Sequence, residues 1–327
     1  MDVSFVGGPS RQRGVGVVAP FDFALDRELW RWVPDDVSLH LTRTPFVPVE
    51  VSLDLARLVS EHRTLSDAVQ ALSAVGPEVV AYACTSGSFV GGTLGERAMV
   101  AAMAQAGAMP AVTTSGALLM ALEELGVCRV AVVTPYTKSV TDSLETYLAE
   151  GGITVSGRSY LGLTREIWRV GYRSVVDMAR EATAGRAAGP PQALFISCTN
   201  LPTFDVIPQL EAEFRMPVLS ANQVTVWAAL RRIGKEAVGP YQSLLDPVAR
   251  RAVAAMATAP PPLPPVPRPG ETRPGAPETA AAMAGTPVPS AAEEGVRGEA
   301  PADAMFPEFP EFPETLPGEP GGGPAAG

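Results

Sequence analysis

Histidine is almost absent from this chain: His40 and His62 are the only two in 327 residues. A Ser-His-Asp triad needs a histidine beside matching partners, and a multi-histidine metal centre needs several; neither pattern is present. Cysteine is nearly as scarce. The three thiols, Cys84, Cys128 and Cys198, form no C-x-x-C pair, which excludes a disulfide framework and a zinc spacing. A basic stripe is lacking as well. The formal charge is −10, and ten acidic and three arginine side chains lie beyond residue 256, so that end carries most of the imbalance and the body is close to neutral. Such a body offers no footprint for DNA or RNA, and no nucleic-acid partner is expected. No apolar run approaches a membrane span, and Met1-Asp2-Val3-Ser4-Phe5 lacks the basic start and apolar stretch of a signal peptide, so neither membrane nor export is expected. A reducing cytoplasm, which suits free thiols, is the expected compartment. Self-association into a homo-oligomer stays open.

What is present is repetition. Val79-Val80-Ala81-Tyr82-Ala83-Cys84-Thr85-Ser86 and Ala193-Leu194-Phe195-Ile196-Ser197-Cys198-Thr199-Asn200 are apolar runs closing on the same pattern, Cys-Thr-[Ser/Asn], 114 residues apart. Gly14-Val15-Gly16-Val17-Val18-Ala19-Pro20-Phe21-Asp22 matches Arg129-Val130-Ala131-Val132-Val133-Thr134-Pro135-Tyr136-Thr137 with the prolines 115 apart. A third pair, starting at Val37 and Ile153, is offset by 116. The chain reads as an internal duplication with a period far longer than that of solenoid repeats.

Each unit alternates strand and helix, with strands near 15–18, 37–41, 79–83 and 109–113, then 130–133, 153–156, 193–197 and 217–219. The fold class expected is α/β: two similar Rossmann-like domains with mostly parallel sheets, related by a pseudo-two-fold. The domains are expected at 14–112 plus 218–256, carrying Cys84, and at 113–217, carrying Cys198. Beyond residue 256 the composition shifts to Pro, Ala, Gly and Glu, with more than half of the chain's 33 prolines. Residues 257–327 are read as a disordered tail, because such a composition buries too little apolar surface to offset its ordering entropy. Its thrice-repeated Phe-Pro-Glu triplet, from Phe306 to Glu314, reads either as a docking motif or as part of an acidic solvating tail.

The carboxyl end of a parallel strand is where an open α/β sheet binds its ligand. Two thiols at two such ends point to one cleft with a cysteine on each side. The small residues after Cys84 leave backbone N–H groups free at a helix start, a setting for a carboxylate. Thr85, Ser86 and Ser88 add hydroxyl donors, and Thr199 and Asn200 offer the same opposite. A thiol beside a helix N-terminus is expected to have a lowered pKa. Cys128, without polar neighbours of this kind, reads as a structural residue entering a strand. His40 reads as a half-buried strand residue or as one reaching the cleft, and His62 as a surface residue.

The segments around Cys84, Thr134-Pro135-Tyr136 and Cys198 resemble the aspartate/glutamate racemase superfamily, and within it the maleate cis-trans isomerase branch, which includes arylmalonate decarboxylases. The resemblance covers about residues 14–240. It implies two α/β domains clamping a small carboxylate or dicarboxylate between paired cysteines, without metal or organic cofactor. It further implies Cys84 as a nucleophile adding to a double bond, Cys198 as the proton-handling group opposite, and Thr85, Ser86, Ser88, Tyr136, Thr199 and Asn200 as substrate contacts. An arylmalonate-type decarboxylase, needing only the second thiol, and an amino-acid racemase are the alternatives. A non-catalytic small-acid binding protein is a third. The branch usually carries Pro-Ser-Ser-Asn in the first turn, where this chain has Pro20-Phe21-Asp22-Phe23. Phe21, Phe23 and Trp168 therefore either render the pocket more apolar, favouring an aryl or alkyl substrate, or pack against helices.

Overall fold

Eight short strands, the central ones apolar and buried on both faces, form two four-stranded sheets in which every pairing is parallel. The computed structural model describes residues 12–185 and 187–258. The first sheet has the order β2-β1-β3-β4, from β1 (Arg13–Ala19), β2 (Val37–Arg43), β3 (Val79–Tyr82) and β4 (Ala111–Thr113). The second repeats it as β6-β5-β7-β8, from β5 (Arg129–Thr134), β6 (Thr154–Tyr160), β7 (Ala193–Ile196) and β8 (Val218–Ser220). The repetition extends to register: Val15 pairs with Val79 in one sheet and Val130 with Ala193 in the other.

The connections are helical, as parallel pairing demands. The first half carries α1 (Asp26–Trp30), α2 (Leu53–Val59), α3 (His62–Ser73), α4 (Thr85–Phe89), α5 (Gly92–Gly107) and α6 (Thr114–Glu124). The second carries α7 (Lys138–Glu150), α8 (Tyr172–Ala184), α9 (Ile207–Phe214), α10 (Ala221–Arg232) and α11 (Pro247–Thr258), with a 3-10 turn at Ile167–Arg169. Polar residues at strand ends start several of these helices. Ser52, Thr113 and Ser220 accept backbone N–H bonds as N-caps, and Ser220 forms a reciprocal capping box with Gln223.

Alternation along the strands splits the core. Val15, Val17, Val79, Ala81 and Ala83 join a cluster that runs through both sheets. Val18, Val80, Tyr82 and Cys84 face a smaller cluster with Leu55 and Val59 of α2 and Leu65 and Val69 of α3. Helices α6 and α10, which follow the last strand of each sheet, pack on one another, with the Thr114 and Thr225 hydroxyls 2.7 Å apart. The described residues fall in one compact unit.

The expected boundary at 217/218 needs a correction. Residues 218–220 pair with β7 and so complete the second sheet; the chain crosses to the first sheet only with α10, which packs on β3 and β4. The tail expected at 257–327, with its Phe-Pro-Glu triplets, lies outside the described residues apart from two positions that end α11. Among the described residues no helix is long and apolar enough to cross a membrane.

Candidate active site

In each sheet the strand order reverses between the two central strands, β1 and β3 or β5 and β7. That reversal opens a crevice at their carboxyl ends. The turn after β1 holds Pro20 and Asp22, and the turn after β3 holds Cys84. The turn after β5 holds Tyr136, and Cys198 lies two residues past β7. All five line a single cavity of about 430 Å³ including its mouth, together with Thr85, Ser86, Thr199 and Asn200. The two halves of the duplication thus supply opposing walls of one cleft.

The strand ends are latched across this cleft. The Cys198 backbone N–H donates to the Thr85 hydroxyl at 3.3 Å, and the Thr199 hydroxyl donates to the Ala83 carbonyl at 3.3 Å. Cys84 is the N-cap of α4, and its sulfur accepts the Gly87 N–H at 3.4 Å. Cys198 adopts φ of 92°, a left-handed conformation rare for a side-chain-bearing residue, and its sulfur accepts the Asn200 N–H at 3.4 Å. Gly87 is required by the close fit: a Cβ there would sit 2.3 Å from the Tyr82 hydroxyl and 3.2 Å from the Cys84 sulfur. The Tyr82 hydroxyl in turn donates to the Val59 carbonyl at 2.8 Å, fixing α2 against the strand end.

Both thiols are buried, and the expectation of a lowered pKa is overturned. Burial pushes Cys84 up from the ordinary thiol value, against the N–H of Gly87 and the hydroxyls of Tyr82 and Ser86. Burial pushes Cys198 up to about 12, with the Asn200 N–H and the Tyr136 hydroxyl pulling the other way. A helix of five residues has too little dipole to offset the removal of a thiolate from water. Tyr136 is itself pushed well up by burial and by the two thiols beside it.

Two expected contacts do other work. Ser88 does not line the cavity: its hydroxyl donates back to the carbonyls of Cys84 and Thr85 and bonds the Ser115 hydroxyl of α6 at 2.7 Å. Asn200 lines the cavity, but its side chain braces the first turn, donating to the Asp22 carbonyl at 3.1 Å and accepting the Ala24 N–H at 2.9 Å. Of the two readings open for Phe21, Phe23 and Trp168, the one in which they line the pocket does not hold. Phe23 is buried in the main core, Phe21 packs edge-on against Phe46, and Trp168 is exposed. Neither histidine lines the cavity; His40 lies on β2 and His62 opens α3. Cys128 is exposed and bonded to Gln192.

Other lining residues were not singled out from the sequence. Val51, Leu55, Ala56 and Val59 form an apolar wall, joined by Ile167 and by Ser52. Their i, i+4, i+8 spacing is visible in the sequence, although not which side of α2 meets the cleft. The Val51 N–H donates to the Thr164 carbonyl at 2.8 Å, which binds this wall to the segment leading to Ile167. Asp22 is the other. Its internal-repeat position, two residues after Pro20 as Thr137 is after Pro135, was the available signal.

Known proteins share this arrangement. A family model described as arylmalonate decarboxylase matches residues 59–245. An arylmalonate decarboxylase of Bordetella bronchiseptica is 35% identical over 170 residues, 51% of this chain and 70% of that protein. A double mutant of arylmalonate decarboxylase in liganded form superposes with a TM-score of 0.66 at 29% identity, covering 72% of this chain and all of that one. A maleate isomerase of Nocardia farcinica is 31% identical over 234 residues, 68% of this chain and 90% of that protein. A mutant of the Nocardia farcinica maleate cis-trans isomerase, solved with a covalently bound succinylcysteine intermediate, superposes with a TM-score of 0.62 at 26% identity, covering 69% and 96% of the two chains. By family model, relatives and fold alike, this chain belongs to the arylmalonate decarboxylase family, in the branch that also holds the maleate isomerases.

Proposed function

We propose that this protein is a cysteine-based, cofactor-independent isomerase of a small unsaturated carboxylic acid, working in the cytoplasm. The observation that carries this reading is the placement of Cys84 and Cys198, one from each half, on a single cavity. Cys84 gives up its S–H proton to solvent water as substrate binds and, as its thiolate, adds to one carbon of the double bond; that proton returns from water once the thiolate is released. A C–S bond forms while the π pair moves to the neighbouring carbon, which the adjacent carboxylate stabilises. The Cys198 S–H gives that carbon its proton, and the Tyr136 hydroxyl and Asn200 N–H stabilise the thiolate left behind. The former double bond is now single and rotates. Cys198 then takes a proton back, the double bond re-forms, the C–S bond breaks and Cys84 leaves as a thiolate. Electrons and atoms balance without an oxidant. The succinylcysteine seen in the Nocardia relative is the saturated adduct this sequence of steps requires. Thr85, Ser86, Tyr136 and Thr199 are the assigned substrate contacts, and the two sheets, left by the chain after β4 and again after β8, mark the assigned domains.

Arylmalonate-type decarboxylation is the second reading, favoured by the apolar wall of Val51, Leu55, Ala56 and Val59, which suits an aryl or alkyl substituent. The two separate by mutation. Maleate, its half-amide and a substituted malonate are incubated in deuterated water and followed by NMR. For an isomerase, Cys84→Ser and Cys198→Ser each lower kcat/KM by about 10³-fold or more. For a decarboxylase only Cys198→Ser does so. Full isomerisation by Cys84→Ser, or no turnover of any compound, refutes the first reading.

A further inference from the structure

The cavity carries one charged side chain. Asp22 lines it, and no lysine, arginine or histidine does. Burial raises the pKa of this carboxyl from its ordinary value, against a hydrogen bond accepted from its own backbone N–H, and it forms no ion pair among the described residues. Arg43, at the end of the neighbouring strand β2, is bound instead to the Phe23 carbonyl and Asp26. The charge of Asp22 reaches both sulfurs, raising the pKa of Cys84 and of Cys198. The turn that carries it is held in place, because Asn200 clamps the Asp22 backbone carbonyl and the Ala24 N–H. The repeat-related position is the neutral Thr137, which bonds Ser139 and does not line the cavity. The cleft is therefore electrically lopsided. One side has an uncompensated carboxylate; the other has backbone N–H groups and hydroxyls after Cys198.

A substrate dianion would set its second carboxylate against Asp22 with no cation to neutralise either. Like charges placed together in a half-buried site cost several kcal/mol. We infer that Asp22 determines specificity: the ligand is a monocarboxylate whose other end presents a hydrogen-bond donor, an amide N–H, a hydroxyl or an ammonium, to the Asp22 carboxylate, and dicarboxylates are selected against. This rests on the small-acid isomerase reading and narrows its substrate class.

Saturated analogues separate binding from chemistry. Succinate, succinamate and 4-aminobutanoate are titrated calorimetrically at neutral pH into the full-length protein and into Asp22→Asn and Asp22→Ala. The wild-type protein is expected to bind a donor-bearing ligand about tenfold or more tighter than succinate, and the tighter of the two identifies the donor. Both variants, lacking the charge, are expected to lose that preference, with succinate gaining affinity. Equal binding of all three by the wild type, an unchanged ratio in both variants, or no binding of any ligand at millimolar concentration overturns the inference. Turnover of maleate and its half-amide is followed in parallel. If the binding preference holds and neither compound is isomerised, the isomerase reading falls and the role of Asp22 stands.

Discussion

At Cys84 and Cys198 two opposing influences meet on each sulfur. A backbone N–H and a nearby hydroxyl favour the thiolate, while burial and the Asp22 carboxylate favour the thiol, and burial wins. Both thiols are therefore neutral at neutral pH. It follows that alkylation of Cys84 by iodoacetamide, measured in the Cys128→Ser background, climbs with pH through neutrality and past the ordinary thiol value of 9.0. A rate that levels off near neutral pH would show a pre-formed thiolate instead. Of the residues expected at the site, Cys84, Thr85, Cys198 and Thr199 line the cavity within three residues of a strand's carboxyl end and Ser86 within four, where a strand-end rule places them, whereas Tyr136, two residues past β5, is expected only from the family resemblance. Ser88 was misread for a definite reason. A loop would leave its hydroxyl free, but residues 85–89 form a helical turn, and a serine one turn along such a helix bonds back to the preceding carbonyls.

Among the elements, the eight strands and most helices follow from alternation and spacing, whereas α4 does not. Thr85-Ser86-Gly87-Ser88-Phe89 contains poor helix formers. It becomes a helix because Cys84 caps it and because α2, α6 and α7 pack around it, both of which are tertiary facts. Helix α9 illustrates how an element is tied to the rest. Its Glu211 is buried and accepts the N–H groups of Val218 and Ser243 and the Ser243 hydroxyl, joining β8 to the segment before α11. Burial pushes this carboxyl up to about 7 from an ordinary 4.5, against those hydrogen bonds. The folded state thus holds the proton more tightly than the unfolded chain. The resulting stabilisation is complete below the ordinary value and is lost as pH rises towards the folded one. Across that window the stability difference between wild type and Glu211→Gln is expected to change by about 3 kcal/mol, read from urea unfolding on either side. A difference that does not vary with pH would mean Glu211 is ionised throughout.

For the molecule as a whole, duplication decides the outcome. One core runs through both sheets, α6 meets α10, and two threonine latches hold Cys198 against Thr85 and Thr199 against Ala83. The 114-residue interval made a shared cleft readable from sequence. The charge asymmetry of that cleft comes from one side chain, Asp22, whose repeat counterpart is the neutral Thr137, and which side chains of the turn face the cleft is a tertiary fact. The left-handed backbone of Cys198 has its own meaning at this scale. An L-residue held there costs about 1–3 kcal/mol of strain, which glycine would release. Cys198→Gly is therefore expected to outlast Cys198→Ala in denaturant by about 1 kcal/mol, although neither variant retains the thiol. Equal midpoints would mean the backbone carries no such load. Position 198 is then a spring held compressed by the rest of the protein, and the molecule gives up endurance there so that a sulfur can face the cleft.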